Sequence, residues 1–203
     1  LSPLDGRYRA AVAPLGEHLS EAGLNRARVH VEIEWLILLT DARMFGVAPL
    51  SDDERAALRS WAAGFGEAEI EWLAAKEAVT RHDVKAIEYL IRDRLETLGL
   101  ERVAELVHFA CTSEDINNLS YAITVRDAVR EVWLPKLDAL VEALQALAVS
   151  TADAAMLADA RFQAGQSSFL DVLQAQLALA SAEMALAESE ARLADLEIAL
   201  ILA

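Results

Sequence analysis

An all-α fold is predicted by three features of the 203-residue sequence. Leu, Ala and Glu dominate, whereas Gly and Pro number only 8 and 4, a balance typical of helical proteins. Apolar residues recur at helical spacing, and helix-start signals precede several of these segments. We expect a small helical N-terminal domain that leads into the first long helix of a bundle, followed by a long heptad-patterned helix.

The first half of the chain is divided by breakers and caps. Residues 1–15 are expected to be irregular, because two prolines and a glycine interrupt them. A helix is expected from about residue 17 or 24 to residue 45, ended by Gly46. Ser51 and Glu54 have the spacing of a capping box, which opens a helix toward residue 75.

Further signals place three more helices. Residues 80–83 have the spacing of another capping box, which predicts the start of a helix. Gly99 is expected to end this helix at the C′ position. A short helix is expected over residues 101–107. A long helix should begin at Ser113 and pass residue 129, and Pro135 should kink or split it before it resumes to about residue 148.

The composition changes after residue 150, beyond which the sequence has no Lys, Trp, Tyr, Pro, His or Cys. Apolar and small residues then recur every seven positions in two registers, which predicts a coiled coil with a partner helix. The alternative is an amphipathic helix packed on its own domain. The two registers are Val172, Leu179, Leu186, Leu193 and Leu200, and Ala175, Ala182, Ser189 and Leu196.

Charge and cysteine content exclude several classes of function. The net charge of −15 argues against nucleic-acid binding and against docking on an anionic membrane. The single Cys111 excludes an intrachain disulfide and fits a reducing cytoplasm. We expect no membrane-spanning helix, because no run of about 20 apolar residues is present. Neither the histidines nor Cys111 show metal-ligand spacing, so no metal is expected.

Residues 108–122 carry the strongest chemical signal. Thr112 and Asp115 have capping-box spacing, and their helix continues with Asn117 and Asn118. Asn is a poor helix former, so this polarity suggests a ligand rather than a core. Thr112 and Ser113 could bind an anion with their hydroxyls and the free backbone N–H groups of the helix start. Simple N-capping is the alternative.

Two other segments hold candidate binding residues. Arg7 and Tyr8 follow a glycine, and the planar fork of an Arg can clamp a phosphate; the alternative is a surface Arg beside a half-buried Tyr. His82 and Asp83 are placed at a predicted helix N-terminus, where a neutral His can bind substrate or relay a proton. The alternative is a surface His beside a capping Asp.

These segments together resemble the adenylosuccinate lyase family, in particular its bacterial subgroup. The matching segments are residues 2–8, 28–36, 82–89 and 108–122, and the resemblance runs from residue 1 to about residue 157. It implies a β-elimination that releases fumarate from adenylosuccinate to leave AMP, and from the related succinyl-carboxamide ribotide. It also implies a cytoplasmic homotetramer with no cofactor, whose active sites combine segments of three subunits.

The resemblance assigns roles to individual residues. Arg7 and Tyr8 would hold the nucleotide phosphate, and Thr112 and Ser113 would hold the succinyl carboxylates. Asp83 would contact the substrate. His82 would also contact the substrate and would assist the acid step. Arg81 is a further candidate for substrate binding, at a position where close relatives often carry Asn.

The resemblance weakens beyond residue 158. The family's general acid is a His in a Thr-His-Gly-Gln-Pro segment, but residues 159–165 read Asp-Ala-Arg-Phe-Gln-Ala-Gly, and no His follows His108. The family's general base is a Ser on a loop that the sequence does not reach. Elimination needs both groups, so we expect a truncated form that is inactive by itself.

The tail carries a second resemblance. Residues 161–176 are similar to the last coiled-coil repeat of TolC-like outer-membrane efflux proteins, which predicts a fused chain with segments 1–108, 109–158 and 159–203. The tail is expected to pack on the helix that begins at Ser113. Two alternative functions remain open: a helical interaction or oligomerisation protein, and a TolC-like efflux component.

Overall fold

A computed structural model describes residue 4 and residues 6–202, and within them it is α-helical with no β-strand. The predicted all-α class is confirmed. The eight α-helices of this described part are α1 (Arg9–Leu19), α2 (Glu21–Asp41), α3 (Asp52–Ala63), α4 (Glu67–Thr80), α5 (Asp83–Thr97), α6 (Ser113–Ala128), α7 (Leu134–Gln163) and α8 (Phe169–Leu202). The chain divides into two compact units, residues 1–128 and 129–203.

The core of the first unit is built around α2. This helix buries residues on most of its faces, because α1, α3, α5 and α6 all pack against it. The contacting side chains of the neighbouring elements are fully buried aliphatics such as Leu58, Ile91 and Leu95. A 3₁₀ helix, Glu101–Leu106, closes the core beside α5.

The N-terminal segment differs from its prediction. Residues 1–3 and 5, including Pro3, lie outside the described residues, but residues 9–15 are helical rather than irregular. Helix α1 contains Pro14 and buries none of its side chains. A run of good helix formers around Ala10 and Ala11 outweighs the one backbone hydrogen bond that a proline removes.

Caps and glycines set the next boundaries. The Ser51–Glu54 capping box is confirmed, with both reciprocal bonds formed. The helix expected to reach residue 75 is instead broken at Gly64–Gly66 into α3 and α4. Gly99 has a φ of +69°, and the Leu100 amide donates to the Leu95 carbonyl at 2.8 Å. Gly99 therefore occupies the C′ position of a Schellman motif, as predicted.

The second unit consists of a π-helical turn, Val129–Trp133, followed by α7 and α8. Pro135 lies in the first turn of α7, directly after the π-helical turn, so the helix changes its hydrogen-bond pattern beside this proline instead of ending there. Helix α7 extends to Gln163, well beyond the expected residue 148. It packs along α8, and the Gln145 side chain donates to Glu190 at 3.2 Å. Packing of the tail on this part of the long helix is therefore confirmed.

The heptad positions of α8 are its least exposed side chains. Over residues 169–199 every side chain is exposed except Ala185 and the eight seam residues, Val172, Ala175, Leu179, Ala182, Leu186, Ser189, Leu193 and Leu196. Helix α7 shows the same spacing in most of its less exposed side chains, Leu137, Val141, Leu144, Ala148, Thr151, Ala155 and Ala158; the other two are Leu134 and Ala152.

Two helical stretches, Ser113–Gln163 and Phe169–Ala199, are long and apolar enough to cross a membrane by length and composition alone. The expectation of no membrane-spanning helix was based on the lack of an unbroken run of about 20 apolar residues, a stricter criterion than mean composition. The core helix of a soluble protein passes the same test, so the finding is weak evidence for a span.

Candidate functional site

An open cleft of about 470 Å³ in the first unit gathers three of the predicted site residues. Arg81, His82 and Asp83 line it at the junction of α4 and α5. The other lining residues come from α2, α4 and α6, and they are Glu21, Leu24, Arg28, Glu77 and Tyr121. The cleft is strongly polar and carries groups of both charge signs, so it suits a ligand with several hydrogen-bonding groups.

Arg28 ties three segments together beneath this cleft. Only 6% of its side chain is exposed. Its Nη2 donates to Asp83 Oδ2 at 2.7 Å, its Nε donates to Asn117 Oδ1 at 2.9 Å, and its Nη1 donates to Asn25 Oδ1 at 3.0 Å. Neighbouring turns of α2, the start of α5 and the first turns of α6 thus share one buried guanidinium.

The Asp83 carboxylate is held ionised by its neighbours. Burial disfavours the charged form, but the Val84 backbone N–H and the Arg28 guanidinium outweigh that effect and lower the pKa of Asp83. The remaining oxygen, Oδ1, lies 3.7 Å from His82 Nδ1. About half of the side chain is exposed, so the carboxylate is both fixed and accessible.

His82 itself caps α5. Its Nδ1 accepts a hydrogen bond from the Lys85 backbone N–H at 3.2 Å, whereas Thr80 Oγ1 donates to the His82 carbonyl. The predicted Thr80–Asp83 capping box is therefore wrong, because the imidazole occupies the capping position. A neutral ring that accepts at Nδ1 carries its proton on Nε2, so Nε2–H is the group that a ligand in the cleft could use.

Thr112 and Ser113 begin α6, as expected. The Thr112 backbone N–H and hydroxyl both donate to Asp115 Oδ2, at 2.7 and 2.8 Å, and the Asp115 N–H donates back to the hydroxyl at 3.4 Å. These bonds lower the pKa of Asp115. The capping box is thus formed, and Thr112 is exposed while Ser113 is half-buried. Neither residue lines the cleft at Arg81–Asp83.

The two amides of α6 have different environments. Asn117 is 8% exposed, accepts from Arg28, and donates to Glu114 Oε1 at 3.2 Å. Asn118 is exposed and donates to the Glu114 carbonyl of its own helix. The expectation that this polarity serves a ligand is therefore wrong for Asn117, whose side chain is occupied by protein groups.

Arg7 and Tyr8 lie in the turn before α1. Both are exposed, and the Arg7 guanidinium lies 5.4 Å from the centroid of the Tyr8 ring. Neither residue lines the cleft.

The segment before Thr112 has an unusual backbone. His108 and Ala110 both have a φ of +60°, a conformation that costs a non-glycine residue about 1–2 kcal/mol. Two long-range contacts hold the segment on α2. The Trp35 Nε1–H donates to the Phe109 carbonyl at 2.8 Å, and His108 Nδ1 is hydrogen-bonded to the buried carboxylate of Glu32.

Sequence reasoning missed the role of Arg28 and the cleft residue Tyr121. A signal was present, because Arg28 falls between Ala27 and Val29 on a helix that is buried on most faces, and a buried Arg requires partners. Among the described residues, no three His, Cys, Asp or Glu side chains are grouped to hold a metal ion.

Comparison with known proteins identifies the family. The sequence profile of the lyase family matches residues 6–195, which is most of the chain. The chain belongs to the lyase family. Relatives in this family include proteins named adenylosuccinate lyase. That of Haemophilus influenzae is 44% identical over 150 residues, 73% of this chain and 33% of the relative.

Other relatives cover more of the chain. The adenylosuccinate lyase of Escherichia coli K12 is 38% identical over 180 residues, 88% of this chain and 40% of the relative. That of Legionella pneumophila (strain Corby) is 37% identical over 159 residues, 77% of this chain and 35% of the relative. The chain thus spans between a third and two fifths of these proteins. The lyase match extends well past residue 158, and the comparisons do not support the resemblance of the tail to TolC-like proteins.

Proposed function

We propose that this chain provides substrate-binding segments of an adenylosuccinate lyase, an enzyme that eliminates fumarate from adenylosuccinate to leave AMP, and from the succinyl-carboxamide ribotide. The observation that carries the proposal is the cleft in which Arg81, His82 and Asp83 meet above the buried Arg28. The names of the similar proteins support the same activity. The proposal includes a cytoplasmic, cofactor-free homo-oligomer.

Different residues are suited to different chemical groups of the substrate. The exposed guanidinium of Arg7, with Tyr8 beside it, is suited to a phosphate. The hydroxyl of Ser113 and the N-terminus of α6 are suited to carboxylates, and Thr112 would join them by turning its hydroxyl from Asp115 Oδ2 to the ligand. The Nε2–H of His82 would donate a hydrogen bond to the ligand and so would assist the acid step without itself supplying the proton.

This polypeptide by itself is proposed to bind without turnover. A β-elimination needs a base for the carbon-bound proton and an acid for the leaving group. The last His of the sequence is His108, and it is engaged with Glu32. Adenylosuccinate cleavage followed by ultraviolet absorbance tests this: turnover at ordinary enzyme rates would contradict it.

A matched pair of variants tests the binding role of Thr112. Ser168 and Asp171 at the start of α8 form a capping box with the same three bonds, at 2.8, 2.9 and 3.3 Å. Thr112→Ala and Ser168→Ala should each cost about 1 kcal/mol of stability. Isothermal titration with adenylosuccinate should show weaker binding only for Thr112→Ala; equal affinities for the two variants would contradict the proposal.

The second unit supports a further candidate role. We propose that α7 and α8 form an antiparallel coiled-coil hairpin that mediates association, because their heptad positions face each other and many other apolar side chains remain exposed. Examples of these exposed side chains are Leu147, Met156, Leu173 and Leu177. Sedimentation of the full chain and of a chain lacking residues 160–203 tests it: a monomer unaffected by the deletion would contradict an oligomerisation function.

A further inference from the structure

We propose that Arg28 is a positioning residue, which fixes the half-exposed Asp83 carboxylate against α6 so that this carboxylate and His82 are presented together to the ligand. This inference rests on the proposed function of the cleft. It concerns a residue that does not carry out chemistry itself but acts through Asp83.

The first step is the match between donors and acceptors. Arg28 uses all three of its nitrogens, and each reaches an oxygen from a different position of the fold: Asn25, Asp83 and Asn117. A guanidinium holds such acceptors in one plane, which a Lys ammonium cannot do. The geometry therefore requires Arg rather than any cation.

The second step is the contrast in burial. The Arg28 side chain is 6% exposed, whereas that of Asp83 is 48% exposed. Burying both partners of this ion pair would add a desolvation penalty, so the exposure of Asp83 by itself needs no functional reason. Here the cation is enclosed and its carboxylate reaches the cleft, so the buried partner limits the orientations of the accessible one.

The third step concerns Asn117. Its Oδ1 receives Arg28 Nε, and its Nδ2 is bonded to Glu114, so the amide cannot rotate without losing two bonds. The chain of contacts from Glu114 through Asn117 and Arg28 to Asp83 connects the first turn of α6 with the start of α5. Arg28 thereby links the helix that begins at Thr112 to the residues that line the cleft.

Arg28→Lys tests the positioning role through three measurements: the titration of Asp83, the ring resonances of His82 and the affinity for adenylosuccinate. The variant keeps the charge but loses the planar fork. If Arg28 positions Asp83, the carboxyl ¹³C resonance of Asp83 should titrate at a higher pH than in the unmodified chain, and the His82 ring resonances should shift. The affinity for adenylosuccinate should fall about tenfold or more, the loss expected for misplacing a charged hydrogen-bonding group.

Arg59→Gln is the matched control, because Arg59 also pairs with one carboxylate, Glu34, but on the surface. It should leave the Asp83 and His82 resonances unchanged. If Arg28→Lys does not fold, Asn117→Ala removes a single bond to Arg28 and should shift the same resonances by a smaller amount.

A folded Arg28→Lys or Asn117→Ala variant with unchanged Asp83 titration and unchanged His82 resonances would overturn the inference. The proposed function fails separately: if the unmodified chain does not bind adenylosuccinate, the cleft is not its site, whereas the NMR titration still reports whether Arg28 orients Asp83.

Discussion

Glu32 and His108, 76 residues apart in the sequence, form a hydrogen-bonded pair in which the carboxylate is fully buried. The second oxygen, Oε2, has no hydrogen-bond partner among the described residues. Burial raises the pKa of Glu32, the contact with His108 opposes this, and the nearby Glu88 adds to it. The pair is therefore sensitive to pH and anchors the strained segment that precedes Thr112.

The stability of the chain should fall as the pH rises through the raised pKa of Glu32. Above the usual Glu value of 4.5, the folded chain retains a proton that the unfolded chain has lost. Each unit of the upward shift thus removes about 1.4 kcal/mol of stability as the pH rises. Glu32→Gln cannot titrate, so its free energy of unfolding relative to the unmodified chain should increase above pH 4.5. Urea unfolding from pH 4 to 8 measures this difference.

Glu34 provides the control for that experiment. It is on the same helix, but its hydrogen bonds with Arg59 lower its pKa, so its stabilising effect is lost only as the pH falls below 4.5. Glu34→Gln should give a constant difference above that pH. A flat difference for Glu32→Gln between pH 4.5 and 8 would contradict the effect.

Cys111 should be a poor nucleophile. Burial, together with the charges of Glu32 and Asp115, raises the pKa of its thiol to about 11. At pH 8 only about a thousandth of the thiol is then ionised, and the thiolate is the reactive form. Alkylation by iodoacetamide should be at least about a hundredfold slower than that of glutathione at the same pH. A rate midpoint near pH 8.5 would refute this.

Arg81 should be replaceable by Asn with a gain in stability. It ends α4 with a φ of +55°, in the left-handed region that Asn tolerates better than Arg. We expect Arg81→Asn to raise the free energy of unfolding by about 0.5 kcal/mol. Arg161→Asn, within the last turn of α7, should lower it, because Asn is a weaker helix former than Arg. Parallel denaturation of the two variants compares these signs.

Two glycines should respond oppositely to alanine. A Cβ on the buried Gly23 would collide with the carbonyl oxygen of His18 and lie 2.7 Å from that of Glu17. Gly16 in α1 has no other heavy atom within 4 Å of such a Cβ. Gly23→Ala should therefore cost about 1–3 kcal/mol, whereas Gly16→Ala should gain up to about 1 kcal/mol. Thermal unfolding distinguishes them, and a neutral Gly23→Ala would show that α1 can move away.

The sequence predicted the features that depend on local chemistry. The Ser51 cap, the Gly99 terminus, the Thr112 cap and the seam of α8 all follow from a few neighbouring residues, and all are present in the structure. The break at Gly64–Gly66 was missed, since isolated glycines are also tolerated within helices.

Long-range pairs were beyond sequence reasoning. The sequence suggested a ligand for Asn117, because its actual partner, Arg28, lies 89 residues earlier in the chain. The capping role of His82 was hidden in the same way, because an imidazole is an unusual N-cap and Thr80 matched the common pattern better. For Thr112 and Ser113 the structure shows the cap, and their binding role stays a prediction.

The pairing of α7 with α8 restricts how this part of the chain can change in length. The two helices are joined by only the five residues between Gln163 and Phe169. This short connection aligns the heptad positions of α7 with those of α8. An extra residue inside α8 would rotate everything beyond it by about 100° and carry its small seam residues to the solvent. An insertion in the connection would leave both seams intact. Insertions and deletions should therefore be tolerated in the connection, and within the helices only as whole heptads.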